Sequence, residues 1–264
     1  MGLLRTLPWL CLAACGRLGF DPEAGGGPPS PPPGADATAG GPTAVGLIAY
    51  WPMDTAGSFA DLVGTHDATC TAGTCPTTMA GVVGGAAMFD GTSSCLTVPS
   101  LATWADTSFT ISAWIEAPAM SGPVVVHESD TSCPSPAMEV TNGAGLVQYN
   151  TTGAHSEAWT TAAIASPGQW HQIAVSWDGT MQQVFVDGAC DCGIAPPNTP
   201  VLNPQTFSIG CYPAATTWFT GAIDEVRVYD RVLGADEMAG LYAIGGRTAP
   251  TAQPCSVTCA TAPP

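Results

Sequence analysis

His171-Gln172-Ile173-Ala174-Val175-Ser176-Trp177, then Asp178-Gly179, then Gln183-Val184-Phe185-Val186 closing on Asp187-Gly188, is the stretch whose reading decides the fold. Successive side chains of a strand point to opposite faces, so Ile173, Val175 and Trp177 share one apolar face and Gln172, Ala174 and Ser176 a lighter one. Asp-Gly suits a tight turn between antiparallel strands, because glycine adopts backbone angles that strain other residues. The segment therefore reads as a β-hairpin with one core face.

Outward from this hairpin the same texture recurs: short apolar alternations broken by Gly, Asp, Pro and Asn. It predicts strands over Leu47–Met53, Ala86–Phe89, Cys95–Val98, Phe109–Ile115, Val124–His127, Ala137–Val140, Gly145–Tyr149, His171–Trp177, Gln183–Val186, Phe207–Gly210 and Gly221–Tyr229. One helix is expected, over Ala235–Tyr242, with Leu233, Met238, Leu241 and Tyr242 inward and Asp236 and Glu237 at its positive end. So many strands in one open sheet would leave a face uncovered, so the expected class is all-β, a two-sheet antiparallel jelly-roll sandwich with one short C-terminal helix.

The flanks differ in composition. Residues 1–14 carry Arg5, the apolar run Leu7-Pro8-Trp9-Leu10-Cys11-Leu12 and then small residues, the layout of a secretory signal too short to span a bilayer. Leu12-Ala13-Ala14-Cys15 resembles the lipobox of bacterial lipoproteins, which implies cleavage before Cys15 and a lipid on its thiol. Gly16 rather than Asp in the next position resembles lipoproteins sent to the outer membrane. Residues 15–45 are Gly, Pro, Ala and Ser with hardly an aliphatic side chain, a stalk that cannot offset its ordering entropy by burial. Residues 46–245 form the expected domain and residues 246–264 a Pro, Thr and Ala tail with a cysteine pair.

Charge narrows the partners. Twenty-one Asp and Glu face five basic residues, all Arg, for a net charge of −16. Such a surface repels phosphate backbones, which excludes nucleic acid, and it repels anionic headgroups, so membrane attachment has to run through the lipid.

Cysteine usage points to an oxidising compartment. With Cys11 in the signal and Cys15 lipidated, nine of the 11 cysteines remain: Cys70, Cys75, Cys95, Cys133, Cys190, Cys192, Cys211, Cys255 and Cys259. Up to four disulfides and one leftover thiol are expected. Cys70 with Cys75 and Cys255 with Cys259 are the short-loop candidates, whereas Cys190 and Cys192 are expected to pair elsewhere. Zinc is disfavoured, because Cys190-Asp191-Cys192 lacks the spacing of a paired ligand set.

Five segments in order resemble the laminin-G-like jelly-roll domain of the concanavalin A-like lectin and glucanase superfamily across about Gly46 to Gly245: Leu47-Ile48-Ala49-Tyr50-Trp51-Pro52-Met53-Asp54, Phe89-Asp90-Gly91-Thr92, Phe109-Thr110-Ile111-Ser112-Ala113-Trp114-Ile115, the hairpin from Trp170 to Gly188, and Phe219 to Arg231. The resemblance implies first and last strands side by side, and a role in holding sugars or protein surfaces outside the cell. It also implies a calcium ion where those strands meet, held by Asp54, Asp61, the carbonyls of Gly64 to His66 in the loop after the first strand, and Asp224. The competing reading makes Asp54 and Asp61 turn caps and pairs Asp224 with Arg227 or Arg231.

Catalysis is not expected. A retaining glycosidase needs two carboxylates flanking the scissile bond, and no strand here carries two alternate acids; Asp224 and Glu225 are adjacent and His171 and Ser176 lie at odd spacing. Trp51, Trp114 and Trp177 alternate with apolar residues and read as core. Trp104, Tyr149, Trp159, Tyr212 and Trp218 read as loop aromatics able to stack on a sugar, with Asn142 and Asn150 as hydrogen-bonding neighbours. The reading is a surface-anchored, non-catalytic binding module for polysaccharide. The alternatives are an adhesive envelope protein holding another extracellular protein, through the odd cysteine among other contacts, and a divergent glycoside hydrolase.

Overall fold

The computed structural model describes residues 44–98, 101, 108–118, 122–127, 136–141, 144–151, 154–164, 168–195, 207–213 and 216–261. Among these residues sixteen strands run in chain order: β1 Leu47–Trp51, β2 Thr77–Ala80, β3 Gly85–Asp90, β4 Leu96–Val98, β5 Phe109–Glu116, β6 Gly122–His127, β7 Ala137–Thr141, β8 Ala144–Thr151, β9 Ala154–Ala163, β10 His171–Trp177, β11 Gln182–Val186, β12 Ala189–Ile194, β13 Phe207–Ile209, β14 Cys211–Tyr212, β15 Thr217–Trp218 and β16 Thr220–Tyr229. A helix, α1, spans Ala235–Ile244. All eleven predicted strands and the helix are present, with ends shifted by at most two residues.

They form two antiparallel sheets. The larger runs β12-β11-β10-β5-β16-β3-β2 with β1 also on β16; the smaller runs β4-β13-β6-β7-β8-β9; β14 and β15 make a separate pair. Ile173, Val175 and Trp177 join Ile111, Ala113, Ile115, Val226 and Val228 in the core between the sheets. Trp51 of β1 stacks on Phe207 of β13 with ring centroids 5.6 Å apart, tying one sheet to the other. First and last strands are neighbours, Tyr50 opposite Arg227 and Trp51 opposite Val226.

The second face of the larger sheet departs from the sequence reading. Gln172, Ala174 and Ser176 are buried rather than lightly covered, because Leu233, Met238 and Leu241 pack with Tyr50, Ala174, Phe185 and Tyr229 over that face. Trp114 is buried here too, stacked on Tyr242 at 5.2 Å beneath α1 instead of between the sheets.

The C-terminal segment, read from sequence as a tail apart from the domain, is bolted to it. Disulfides join Cys70 to Cys75, Cys95 to Cys211, Cys190 to Cys255 and Cys192 to Cys259. This corrects the expected Cys255–Cys259 loop, while Cys70–Cys75 and the divergence of Cys190 from Cys192 stand. The reason lies in β12, where Val184 pairs with Cys192 and Phe185 with Cys190, so Asp191 bulges out. Cys192 then faces the inner core with Cys259 and Cys190 faces the outer cluster with Cys255. The tail crosses the sheet edge between them. The Gly193 amide donates to Val257, Cys259 to Gly193, and Trp159 of β9 to Ala260, so the tail spans the gap between the edges of both sheets. Cys133 lies outside the described residues.

Replacing Cys190 and Cys255 together by serine is expected to cost roughly 2 kcal/mol, against about 4 kcal/mol for a lone cross-link of this loop size. The Cys192–Cys259 bond, 67 residues apart in sequence, already closes nearly the same loop. Urea unfolding of the variant checks it; a loss near 4 kcal/mol would mean the two bonds do not act as one clamp.

Candidate functional site

The aromatics expected in loops, where a sugar could stack on them, are redistributed by the structure. Trp159 is in β9 and Tyr212 in β14, not in loops, and both are buried, at 5% and 7% exposure. Tyr212 packs on Val126 and Ala137, and Trp159 on Ala144, so both cover the sheet. Trp218 is half-buried in β15, opposite Cys211. Tyr149 falls in β8, opposite Ser156 of β9, rather than in a loop; Trp104 and Asn142 lie outside the described residues, as does Cys15. Small and polar residues hid β9 from the sequence reading: Ala154-His155-Ser156-Glu157-Ala158 has no apolar alternation.

Strand register assembles a pair of acids that single-strand reasoning missed. Glu139 of β7 lies opposite Leu146, itself opposite Trp159, and Ala137 lies opposite Gln148, itself opposite Glu157. Paired residues share a face, so Glu139, Glu157 and Trp159 stand on the outer side, away from Met138, Val140 and Ala158 in the core. The Trp159 indole Nε1 donates to Glu157 Oε2 at 3.1 Å. Burial and the nearby Glu157 carboxylate push the Glu139 carboxyl above its ordinary range. Two strands together thus bring two acids to one face, an arrangement that alternation within a single strand does not reveal.

At the meeting of β1 and β16 the four expected metal ligands fall into two groups. Asp61 Oδ1 accepts from the Tyr50 and Val63 amides at 3.0 Å each, and Oδ2 accepts from the His66 amide and contacts His66 Nδ1, both at 3.1 Å. Burial opposes ionisation of Asp61, but these amides with that of Gly64 hold its carboxyl below the usual range. The Asp61 carboxylate thus bonds within its own loop and to β1, and the His66 carbonyl accepts from the Trp51 indole at 2.9 Å.

Asp54 and Asp224 flank the turn at 81–85. The Gly85 amide donates to Asp54 Oδ1 at 2.7 Å, and the Val82 and Val83 amides donate to Asp224 Oδ2 at 2.7 and 3.2 Å. Gly84, at φ +65°, has no side chain to collide with Asp54 Oδ1. Asp224 is fully buried, and its Oδ1 has no hydrogen-bond partner among the described residues. Burial first, then Glu225 and Asp54, push its carboxyl up to about 8 against the pull of the two amides. Among the described residues no three His, Cys, Asp or Glu converge as a metal site.

Asp224 pairs with neither Arg227 nor Arg231 in the contacts that define these groups. Arg227 bonds Glu225 and Arg231 bonds Glu237. A bulge separates Asp224 from Arg227 in the β16–β5 register, and Glu225 sits at φ +54° where β16 exchanges β3 for β1 as its neighbour. Strict alternation therefore fails at this point. His171 and Ser176 also stay apart: His171 Nδ1 meets Asp187 Oδ2 at 2.8 Å, and Ser176 Oγ donates to Gln183 Oε1 at 3.5 Å.

Comparison with known proteins matches these features to a family. A family model described as the concanavalin A-like lectin/glucanases superfamily covers residues 90–239. No curated protein matches the sequence. Among solved structures, the binding domain of Paraclostridial Mosquitocidal Protein 1 aligns with TM-score 0.63 and 13% identity over 76% of this chain and 52% of that one. Domain 4 of AbnA, a GH43 extracellular arabinanase from Geobacillus stearothermophilus in complex with arabinotriose, aligns with TM-score 0.59 and 20% identity over 74% of this chain and 98% of that one. Trypanosoma rangeli sialidase aligns with TM-score 0.56 and 18% identity over 75% of this chain and 32% of that one. This chain thus spans about half of the mosquitocidal domain and about a third of the sialidase. At such identities the likeness shows the fold.

Proposed function

The chain belongs to the concanavalin A-like lectin/glucanase superfamily, and from that premise we propose that it is a non-catalytic module binding carbohydrate outside the cytoplasm. The observation that carries this is the likeness, over nearly the whole of the smaller partner, to a domain solved with arabinotriose. Four disulfides suit an oxidising compartment. No helix among the described residues is long and apolar enough to cross a membrane. In this reading Cys15 carries the lipid that holds the module to the outer membrane, and the Pro-rich residues 15–45 hold it off the surface. Calcium enters the proposal as an ion between Asp54 and Asp224.

A glycan array of neutral and charged polysaccharides is expected to return a bound ligand, and mass spectrometry of the mature N-terminal peptide to return diacylglyceryl on Cys15. An array with no hit removes the carbohydrate reading; an unmodified Cys15 removes the anchor. A protein partner is the second reading, supported by Leu62 and Val63, which stand 46% and 42% exposed in the loop that Asp61 organises.

A further inference from the structure

Between β11, the start of α1 and the tail lies a groove of about 450 Å³. Gln183, Leu233, Asp236, Gln253 and Pro254 are among the residues that line it, with the buried Phe185 beside them. We infer that this groove is the saccharide subsite and takes the end of a neutral oligosaccharide, which rests on the carbohydrate reading above.

The chemistry of the lining carries this. A carboxamide offers an acceptor and two donors in one plane, which suits vicinal hydroxyls that both give and receive. Gln183 comes from a strand and Gln253 from the tail, so the two amides line one groove from separate elements. Ser176 Oγ donates to Gln183 Oε1 at 3.5 Å and orients that amide. Asp236 adds an acceptor for a sugar hydroxyl. The opening turn of α1 adds donors: the first amides of a helix have no acceptor within it, and Gly234 at the N-cap has no side chain to supply one. The Gly234 amide itself donates to Glu237 Oε2 at 2.9 Å, and Glu237 is committed to Arg231.

Charge and size select the ligand. No Arg lines the groove and the chain has no Lys, so nothing there compensates a sulfated, phosphorylated or uronic sugar. The volume lies in the lower part of the range for small-molecule sites, enough for one or two sugar rings. Cys255 fixes the tail wall to β12 through Cys190, so the groove is set before a ligand arrives.

The test titrates the mature full-length protein calorimetrically with neutral arabino-, xylo-, gluco- and manno-oligosaccharides. Gln183→Ala with Gln253→Ala is expected to weaken the bound sugar at least about tenfold, as loss of two hydrogen bonds implies, with the fold retained by circular dichroism. Cys190→Ser with Cys255→Ser is expected to weaken it as well. Undiminished binding by the glutamine variant overturns the groove and leaves the carbohydrate reading intact; Glu139→Gln weakening binding in its place moves the site to the smaller sheet. If none of the sugars binds the wild-type protein while an array returns a charged glycan, the groove again fails alone. If neither assay finds a sugar, both readings fail.

Discussion

Arg227→Met is expected to lower the free energy of unfolding by about 3–5 kcal/mol, because it strands a buried carboxylate. Arg227 and Glu225 expose 2% and 1% of their side chains beneath α1. The guanidinium bonds Glu225 Oε2 and lies 4.2 Å from the Tyr50 ring centroid, while Tyr50 Oη donates to Glu225 Oε1 at 2.7 Å. Methionine keeps much of the apolar stem and removes the charge, so the loss reports on Glu225 rather than on packing. Adding Glu225→Gln to Arg227→Met is expected to return most of it, since the uncompensated charge is then gone. Urea unfolding of the single and double variants measures both steps. A loss under about 1 kcal/mol in the single variant would show that water reaches Glu225.

Asp224 sets the second large effect, a pH dependence opposite to that of most acids. Its carboxyl binds a proton more readily in the folded chain, where it titrates at about 8 against an ordinary 3.8. The folded state therefore carries the extra proton between these values, and stability falls as pH rises. The contribution is complete below about pH 4 and is lost as pH climbs through about 8, a span worth on the order of 5 kcal/mol. Asp224→Asn keeps an oxygen for the Val82 and Val83 amides and cannot ionise, so in chelator it is expected to flatten the profile between pH 4 and 8 and to be the more stable form at pH 8. Equal slopes for wild type and variant would rule out a buried, proton-holding Asp224. Calcium added at pH 8 is expected to raise the midpoint of the wild type and leave Asp224→Asn unmoved, which tests the proposed ion independently of the slope.

Strand content was legible wherever one face of a strand is apolar and the other is not. The hairpin at 171–186 could be read nearly to the residue because Ile173, Val175 and Trp177 alternate and Asp-Gly turns bound it. β2, β9 and β12 escaped for different reasons. Thr77–Ala80 is an edge strand with little apolar surface to show, β9 mixes small and polar residues, and β12 reads as a cysteine motif. The buried second face of the larger sheet escaped for a related reason: Gln172, Ser112 and Ser176 are polar by sequence, and their burial comes from a helix about 60 residues or more along the chain from them.

Sites were less legible than strands. Local chemistry pointed to the Asp61 loop, because most of its bonds run to residues within a few positions. Glu139 with Glu157 depends on register across three strands, and nothing in either segment alone signals it. The groove needs a strand, a helix start and a disulfide-held tail at once.

By itself the sequence determined the class of fold, the acidic surface and the cysteine-rich chemistry of the chain, because periodicity, composition and turn residues are local properties, while the neighbourhood of the first and last strands was implied by the family resemblance alone. Only the tertiary structure decided that Cys255 and Cys259 part company across β12, that Trp159 and Tyr212 cover the sheet, and that Arg227 belongs to Glu225 and not to Asp224. Each of those outcomes turns on a bulge or on the pairing of distant strands, and both are settled by the closure of the sandwich rather than by any run of neighbouring residues.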